Sequence, residues 1–202
     1  NFIDAFNRAN MGRAYLNSAI ILVFVLLGSV LVGTQLAYVL NRFKFPGNGL
    51  IRSLFLFATL LPGIAMQVSV YQIMSNLGFI NHLYGYIIMS MGTDVISIYI
   101  FIQFMENISV SLDESAFTIY WKIILPLLKP AIVTSMVLKG VGVYNEYYCA
   151  SLYLQDKRTL GVVATSLYTF TGPLGSKYNL ICAGVLMSLL PALIVFLLCQ
   201  KQ

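Results

Sequence analysis

Long stretches without a charged side chain constrain this chain more than any other feature of its sequence. Residues 14–41, 53–93 and 178–200 contain no Asp, Glu, Lys or Arg. Each stretch is longer than the roughly 20 apolar residues that an α-helix needs to cross the hydrocarbon core of a bilayer. The sequence therefore predicts several membrane-spanning helices.

The composition favours a membrane protein over a soluble one. Hydrophobic residues make up 59% of the 202 residues and charged residues only 9%, where soluble domains carry roughly 25%. The net charge of +5 could indicate nucleic-acid binding, but the Lys and Arg residues stand singly at the ends of apolar runs. Basic residues at such positions anchor helices at lipid headgroups. We therefore expect contact with the lipid bilayer and no nucleic acid.

Cysteine and histidine give no sign of a metal site. The three cysteines fall in apolar stretches without the spacing of metal ligands, and the single histidine, His82, has no second ligand nearby. We therefore expect no metal and treat the cysteines as small buried hydrophobic residues. The chain opens on a polar stretch rather than a signal peptide, so insertion is expected to depend on the spans themselves.

Apolar runs separated by helix breakers predict five spans, at about residues 16–40, 51–77, 83–105, 131–154 and 180–199. Pro62-Gly63 should kink or break the second span, and Gly92-Thr93-Asp94 should divide the third into two short helices. The expected fold is an all-α integral membrane protein, a single domain over residues 1–202 built from about five transmembrane helices.

The short loops predict the orientation. Loop 41–52 is strongly basic, whereas loop 75–82 has neither Lys nor Arg. Cytoplasmic loops are enriched in Lys and Arg. Loop 41–52, and with it segment 106–130, is therefore expected on the cytoplasmic side.

Segment 106–130, ENISVSLDESAFTIYWKIILPLLKP, is unusual for a membrane protein because it is first polar and acidic and then amphipathic. Asp113 and Glu114 suit the start of a surface-lying helix, whose N-terminus is the positive end of its dipole. An ordinary interfacial helix between two spans would have the same pattern.

This segment resembles the cytoplasmic loop of permease subunits of binding-protein-dependent ABC importers, and the chain is similar to the sugar-type subunits of the maltose-transporter kind. The family signature has a Glu-Ala-Ala start, a central glycine and an Ile-x-Leu-Pro end. The matching residues here are Glu114-Ser115-Ala116 and Ile123-Ile124-Leu125-Pro126. The central glycine is missing and the spacing is several residues shorter than in the family. Either this protein has lost the centre of the loop after Ala116, or that centre lies outside these residues. We favour the second, and we also expect a first span and a C-terminal tail to lie outside these residues, with six spans in the whole protein.

Four other stretches, in the order the family has them, support the resemblance. They are Arg42–Gly47, a basic turn; Leu61-Pro62-Gly63, a kinked helix; Leu77–Asn81, an outside turn; and Gly142–Tyr147, an aromatic-Asn-acid motif.

The resemblance implies a transport subunit rather than an enzyme. Its coupling loop would seat on a cytoplasmic ATPase and would comprise Leu112, Asp113, Glu114, Ser115, Ala116, Leu125 and Pro126. ATP and Mg would be bound by that ATPase, and this chain would hold no cofactor. The sequence agrees, since it has no G-x-x-x-x-G-K-[ST] phosphate loop. The implied partners are a homologous second permease, two ATPase subunits and an external sugar-binding protein, in the cell membrane of a prokaryote.

Glu146 is the leading candidate for a residue of the solute pathway. A carboxylate within a span costs at least about 2–3 kcal/mol, so it should face a cavity or a partner. Its neighbours Tyr144, Asn145 and Tyr147 offer the aromatic faces and amide that suit hydroxyl-rich solutes. The alternative is structural: Glu146 would pair with Lys139, two helical turns earlier, and the tyrosines would form an interfacial belt.

Two further groups of residues carry weaker predictions. Gln67 and Gln72 in the second span would line the pathway or would hydrogen-bond neighbouring helices. The long polar loop 155–179 would face outside, where by resemblance Thr171, Gly172, Pro173, Leu174 and Gly175 would touch the substrate-binding protein. The alternative for these five residues is a plain surface loop.

The main alternative function is an ion-coupled secondary transporter or channel. That class predicts an internal repeat and more ionisable groups within the membrane. Here only Asp94, Lys139 and Glu146 qualify and no repeat is evident. The sequence therefore favours the ABC permease.

Overall fold

A computed structural model describes residues 2–61, 63–92, 95–108, 116–170 and 177–199, with side chains for all of these except 116 and 195–199. Every regular element in these ranges is helical. In chain order they are α1 (Phe2–Arg8), α2 (Met11–Arg42), α3 (Asn48–Leu60), α4 (Gly63–Asn76), α5 (Leu83–Met91), α6 (Val95–Glu106), α7 (Ala116–Ile119), a π-helical turn (Tyr120–Ile124), α8 (Leu125–Leu127), α9 (Lys129–Asn145), α10 (Tyr148–Tyr153), α11 (Val163–Ser166), a 3₁₀ turn (Leu167–Phe170) and α12 (Tyr178–Cys199).

The number of spans depends on how bent helices are counted. Among the described helices, α2 alone is long and apolar enough to cross a bilayer by itself. Three bent pairs would each qualify as one span: α3 with α4, α5 with α6, and residues 117–127 with α9. The all-helical architecture is confirmed. By length and composition, the described helices account for between one and four spans. The expected number of five spans therefore stays a prediction.

Helix breaks occur where the sequence predicts them in the second and third apolar regions. Helix α3 ends at Leu60 and α4 begins at Gly63, and α5 ends at Met91 before α6 begins at Val95. The predicted cap residues Thr93 and Asp94 lie outside the described ranges.

The fourth predicted span is not one continuous helix. Helix α9 ends at Asn145, and α10 begins at Tyr148. The Glu146 carboxylate accepts a hydrogen bond of 3.0 Å from the Cys149 backbone N–H, in the first turn of α10. A carboxylate bonded to such an N–H satisfies a donor that has no partner within its own helix, which stabilises a fresh helix start.

The described chain forms two compact units. The first contains Asn1–Leu22, Gly78–Tyr86 and Val143–Gln202, and the second contains Val23–Leu77 and Ile87–Gly142. Helices α2, α5 and α9 contribute residues to both.

The core of the second unit lies between α2, α6 and the segment that leads into α9. Its buried residues include Ala37, Phe101, Met105, Ile124 and Leu128. Gly33 allows close packing here, because a Cβ at this position would lie 3.1 Å from the Phe101 ring. Small residues of this kind let membrane helices approach each other closely.

The core of the first unit joins α1, the start of α2, α11 and α12. Its buried residues include Met11, Ala14, Val163, Phe170 and Leu180. Tyr15 and Tyr144 pack against this core. The hydroxyl of each donates a 2.7 Å hydrogen bond to a carbonyl of α12, at Met187 and Ser188 respectively.

The Tyr15 hydrogen bond repairs a defect that a proline creates in α12. Pro191 lies inside this helix and has no N–H to donate to the carbonyl four residues earlier, which is that of Met187. Tyr15 supplies the missing donor. The proline in α12 therefore depends on the tyrosine in α2, although the two lie far apart in sequence.

We predict that Tyr15→Phe lowers the free energy of unfolding by about 1–3 kcal/mol, because it leaves the Met187 carbonyl without a donor. In a Pro191→Ala background the helix supplies its own N–H, so the same substitution should cost less than half as much. Thermal unfolding of the four purified variants in detergent measures both values. Equal costs in the two backgrounds would contradict the assignment.

Candidate functional site

The predicted coupling segment is described only from Ala116 onward. Leu112, Asp113, Glu114 and Ser115 lie outside the described ranges. Ala116 begins α7, and Leu125 begins α8 with Pro126 at its second position. From Ala116 to Leu127 the backbone is continuously helical, as an amphipathic surface helix requires.

The middle of this segment is a π-helical turn over Tyr120–Ile124. The Leu125 N–H bonds to the Tyr120 carbonyl, five residues back instead of four. Pro126 follows at once and has no N–H to support a regular α-turn before it. Single π-turns inside α-helices often mark functional sites.

The π-turn places Tyr120 against α2. Its hydroxyl lies 2.8 Å from the Thr34 hydroxyl, and both residues are buried, at 5% and 0% exposure. Thr34 has one hydroxyl proton, which it donates to the Val30 carbonyl at 2.6 Å. Tyr120 is therefore the donor and Thr34 the acceptor in the bond between them. The Tyr120 ring also lies 5.4 Å from the ring of Tyr38, one turn further along α2.

Arg42 bonds α2 to the chain that precedes the coupling segment. Its Nη2 donates a 2.8 Å hydrogen bond to the carbonyl of Ile108, two residues after α6 ends. The Nε atom of Arg42 is buried and has no hydrogen-bond partner among the described residues.

Arg52 ties α3 to the end of α2. Its Nη2 donates to the Leu40 carbonyl at 2.6 Å, and its Nε donates to the Asn48 side chain at 3.1 Å. Carbonyls in the last turn of a helix have no helical donor, so this bond caps α2. The ion pair of Arg52 with Glu106, at 3.8 Å, is partly exposed and contributes little to stability. The tight turn between the helices is possible because Gly47 adopts a φ of 96°.

Arg42, Arg52, Thr34 and Tyr120 were not among the functional candidates predicted from the sequence. There the two arginines served to predict orientation, and Arg42 also began the basic turn Arg42–Gly47. Helical spacing along α2 places Thr34, Tyr38 and Arg42 on one face, which was the signal available, but their partners lie in distant parts of the chain.

The predicted pathway residues fall in both units. Tyr144 and Glu146 line one small cavity in the first unit, together with Ser18, Ile21, Tyr86, Val143 and Val162. Its volume of about 10 Å³ is room for a single water molecule or hydroxyl group, not a sugar ring. Gln67 and Gln72 lie on α4, in the second unit, with Gln72 exposed.

The side chains around this cavity are already engaged in the protein. One Glu146 oxygen accepts from Cys149, and the Tyr144 hydroxyl donates to Ser188. Asn145 ends α9, and the Tyr147 ring stacks on that of Tyr168 at 3.8 Å. Because α9 ends at Asn145, Glu146 does not share a helix with Lys139, and the two-turn relation expected for that pair does not hold.

Part of the predicted outer loop is fixed by polar side chains at the start of α2. Asn10, Arg13 and Asn17 donate to the carbonyls of Arg158, Thr159 and Gly161. The Thr159 hydroxyl and the nearby Arg158 hold the pKa of the Asp156 carboxyl below its ordinary value. The predicted contact residues Thr171 to Gly175 lie outside the described ranges.

We predict that Thr34→Val destabilises the protein more than Tyr120→Phe, by about 1–3 kcal/mol against 0.5–1.5 kcal/mol. The valine leaves a buried tyrosine hydroxyl without its acceptor, whereas the phenylalanine leaves Thr34 still bonded to Val30. The double variant should be more stable than Thr34→Val alone. Unfolding of the purified protein in detergent measures the three values, and the reverse order would disprove the assigned donor.

Comparisons with known proteins agree with the resemblance drawn from the sequence, although no family model matches the chain. The melibiose/raffinose/stachyose import permease protein MelC of Bacillus subtilis is 27% identical, covering 100% of this chain and 76% of that protein. The probable starch degradation products transport system permease protein AmyC of Thermoanaerobacterium thermosulfurigenes is 29% identical with the same coverage. The maltodextrin transport system permease protein MalD of Streptococcus pneumoniae is 25% identical over 100% of this chain and 75% of that protein.

A solved structure supports the fold. The crystal structure of a bacterial ABC transporter involved in the import of the acidic polysaccharide alginate matches with a TM-score of 0.81 and 21% identity, over 98% of this chain and 78% of that chain. Along its whole length, the chain is therefore similar to permease subunits of sugar ABC transporters.

Proposed function

We propose that this chain is a membrane-spanning subunit of an ATP-driven importer and forms part of the translocation pathway for a sugar or oligosaccharide. The observation that carries the proposal is the similarity over the whole chain to relatives whose names denote sugar permeases. The ion-coupled alternative has no such support. No enzymatic activity is assigned to the chain, and ATP with Mg would be bound and hydrolysed by a separate ATPase.

The exposed apolar surface supports a position in the bacterial cell membrane. Only 28% of an 18-residue apolar stretch of α2 is buried within the protein. The exposed apolar residues of this helix include Leu16, Phe24, Leu27 and Val32. Apolar surface of this extent needs lipid or another membrane helix to cover it. A homologous second permease would cover part of it.

Transport would proceed by alternating access. Residues Leu112 to Ala116 would seat on the ATPase, and ATP-dependent closure of that subunit would move the membrane helices. A binding protein outside would deliver the solute, with Thr171 to Gly175 among its contacts. The small size of the cavity at Glu146 fits a pathway that is closed in this conformation.

The coupling assignment is tested by reversing the charge of Glu114. We predict that Glu114→Lys lowers uptake more than tenfold, because a lysine opposes the positive end of the coupling helix. Uptake of radiolabelled raffinose and maltodextrin by cells lacking the native copy measures the effect. Asp4→Lys, the same reversal at an exposed position in α1, is the matched control and should transport normally.

Co-purification completes this test. The tagged full-length protein should bring down an ATPase subunit, and Glu114→Lys should bring down less of it. If the unsubstituted protein never associates with an ATPase, the proposed function is wrong. If it does and Glu114→Lys transports normally, only the coupling assignment is wrong.

The role of Glu146 is tested by a substitution that removes its charge but keeps its hydrogen bond to the Cys149 N–H. Glutamine keeps an oxygen that accepts from the Cys149 N–H, so Glu146→Gln should fold normally. We predict a rise in the KM for uptake of about tenfold, the loss expected when a charged hydrogen bond to a solute hydroxyl becomes a neutral one. An unchanged KM with normal expression would assign Glu146 a purely structural role.

A further inference from the structure

Both described flanks of the proposed coupling loop are attached to the same helix, α2. Before the loop, the Ile108 carbonyl accepts a hydrogen bond from Arg42. After the loop, the Tyr120 hydroxyl bonds to Thr34. These are directional bonds between side chains of α2 and the two chain segments that border residues 109–115.

The attachment points form a single line on α2. Thr34, Tyr38 and Arg42 follow one another at intervals of four residues, which places them on one face of the helix. Tyr38 lies between the other two in sequence, and its ring packs against that of Tyr120 with the centroids 5.4 Å apart. We call these three residues the α2 stripe.

The stripe is suited to transmit movement because its bonds do not tolerate sliding. Apolar contacts are non-directional and adjust to small shifts. A hydrogen bond weakens steeply when its angle or length changes, and a buried donor without an acceptor is costly. When the loop flanks move, α2 must therefore move with them or lose these bonds.

We propose that the α2 stripe receives the movement of the coupling loop, with Thr34, Tyr38, Arg42 and Tyr120 as positioning residues that join ATP hydrolysis to transport. The inference rests on the proposed function and adds to it the element that carries the motion. The competing explanation is that these bonds only stabilise the fold.

The experiment uses the complete transporter, reconstituted in proteoliposomes with its ATPase and binding protein. It measures ATP hydrolysis, uptake of radiolabelled raffinose or maltodextrin, and thermal stability on the same samples. The decisive quantity is the amount of solute transported per ATP hydrolysed. A residue that acts only through stability changes the amount of active complex but leaves this ratio unchanged.

For Arg42→Ala and Tyr120→Phe we expect ATP hydrolysis within about twofold of the unsubstituted complex and a transport ratio lowered on the order of fivefold, the change in an equilibrium that one hydrogen bond makes. Arg42→Lys should recover part of the ratio, since lysine can still donate one bond to the Ile108 carbonyl. Lys44→Ala removes an exposed charge two residues away and should leave the ratio unchanged.

Unchanged ratios in both Arg42→Ala and Tyr120→Phe would overturn the inference, as would a ratio that falls equally in Lys44→Ala. If Arg42→Ala does not assemble, Arg42→Lys and Tyr120→Phe decide by the same criterion. Failure of the unsubstituted chain to assemble with an ATPase, or to import with ATP, would instead reject the proposed function itself.

Discussion

Carbonyl oxygens without a helical donor determine much of the architecture of this chain. In a membrane there is little water to satisfy such groups, so side chains must do it. Tyr15 bonds the Met187 carbonyl, which Pro191 leaves free, and Arg52 bonds the carbonyl of Leu40 near the end of α2. Arg42 does the same for Ile108 beyond the end of α6. The carbonyls that Pro191 leaves free, and those at or beyond the ends of α2 and α6, are thus each satisfied by a side-chain donor from another helix.

The helical architecture could be predicted from the sequence because it depends on local composition. Charge-free stretches required helices, and proline or glycine at residues 62–63 and 92 marked two breaks that the structure contains. The interruption after Asn145 was not predicted. No proline lies there, and the new helix start depends on the carboxylate of Glu146 turning onto its own backbone. This break therefore coincides with a side-chain hydrogen bond rather than with a proline.

The candidate site, too, could be predicted only in part from the sequence. The proposed coupling segment was predicted from a short motif that is contiguous in sequence. Arg42 and Thr34 were not found, because their partners lie 66 and 86 residues away and only the fold brings them together. Helical periodicity places Thr34, Tyr38 and Arg42 on one face, but it does not identify the segment that they contact. The residues that join parts of the chain are therefore the ones a motif does not reveal.

Glu146 shows why structural and transport roles need not exclude each other. An ionised carboxylate has about four acceptor positions, and the bond from the Cys149 N–H uses one of them. Glu146 also lines a cavity that admits a single hydroxyl group. Because the bond to Cys149 holds the side chain in one orientation, less freedom would be lost if a solute hydroxyl bound there, as the proposed function requires. A carboxylate that would be costly within the membrane thus supports the helix start, and under the proposed function it would also bind a solute hydroxyl.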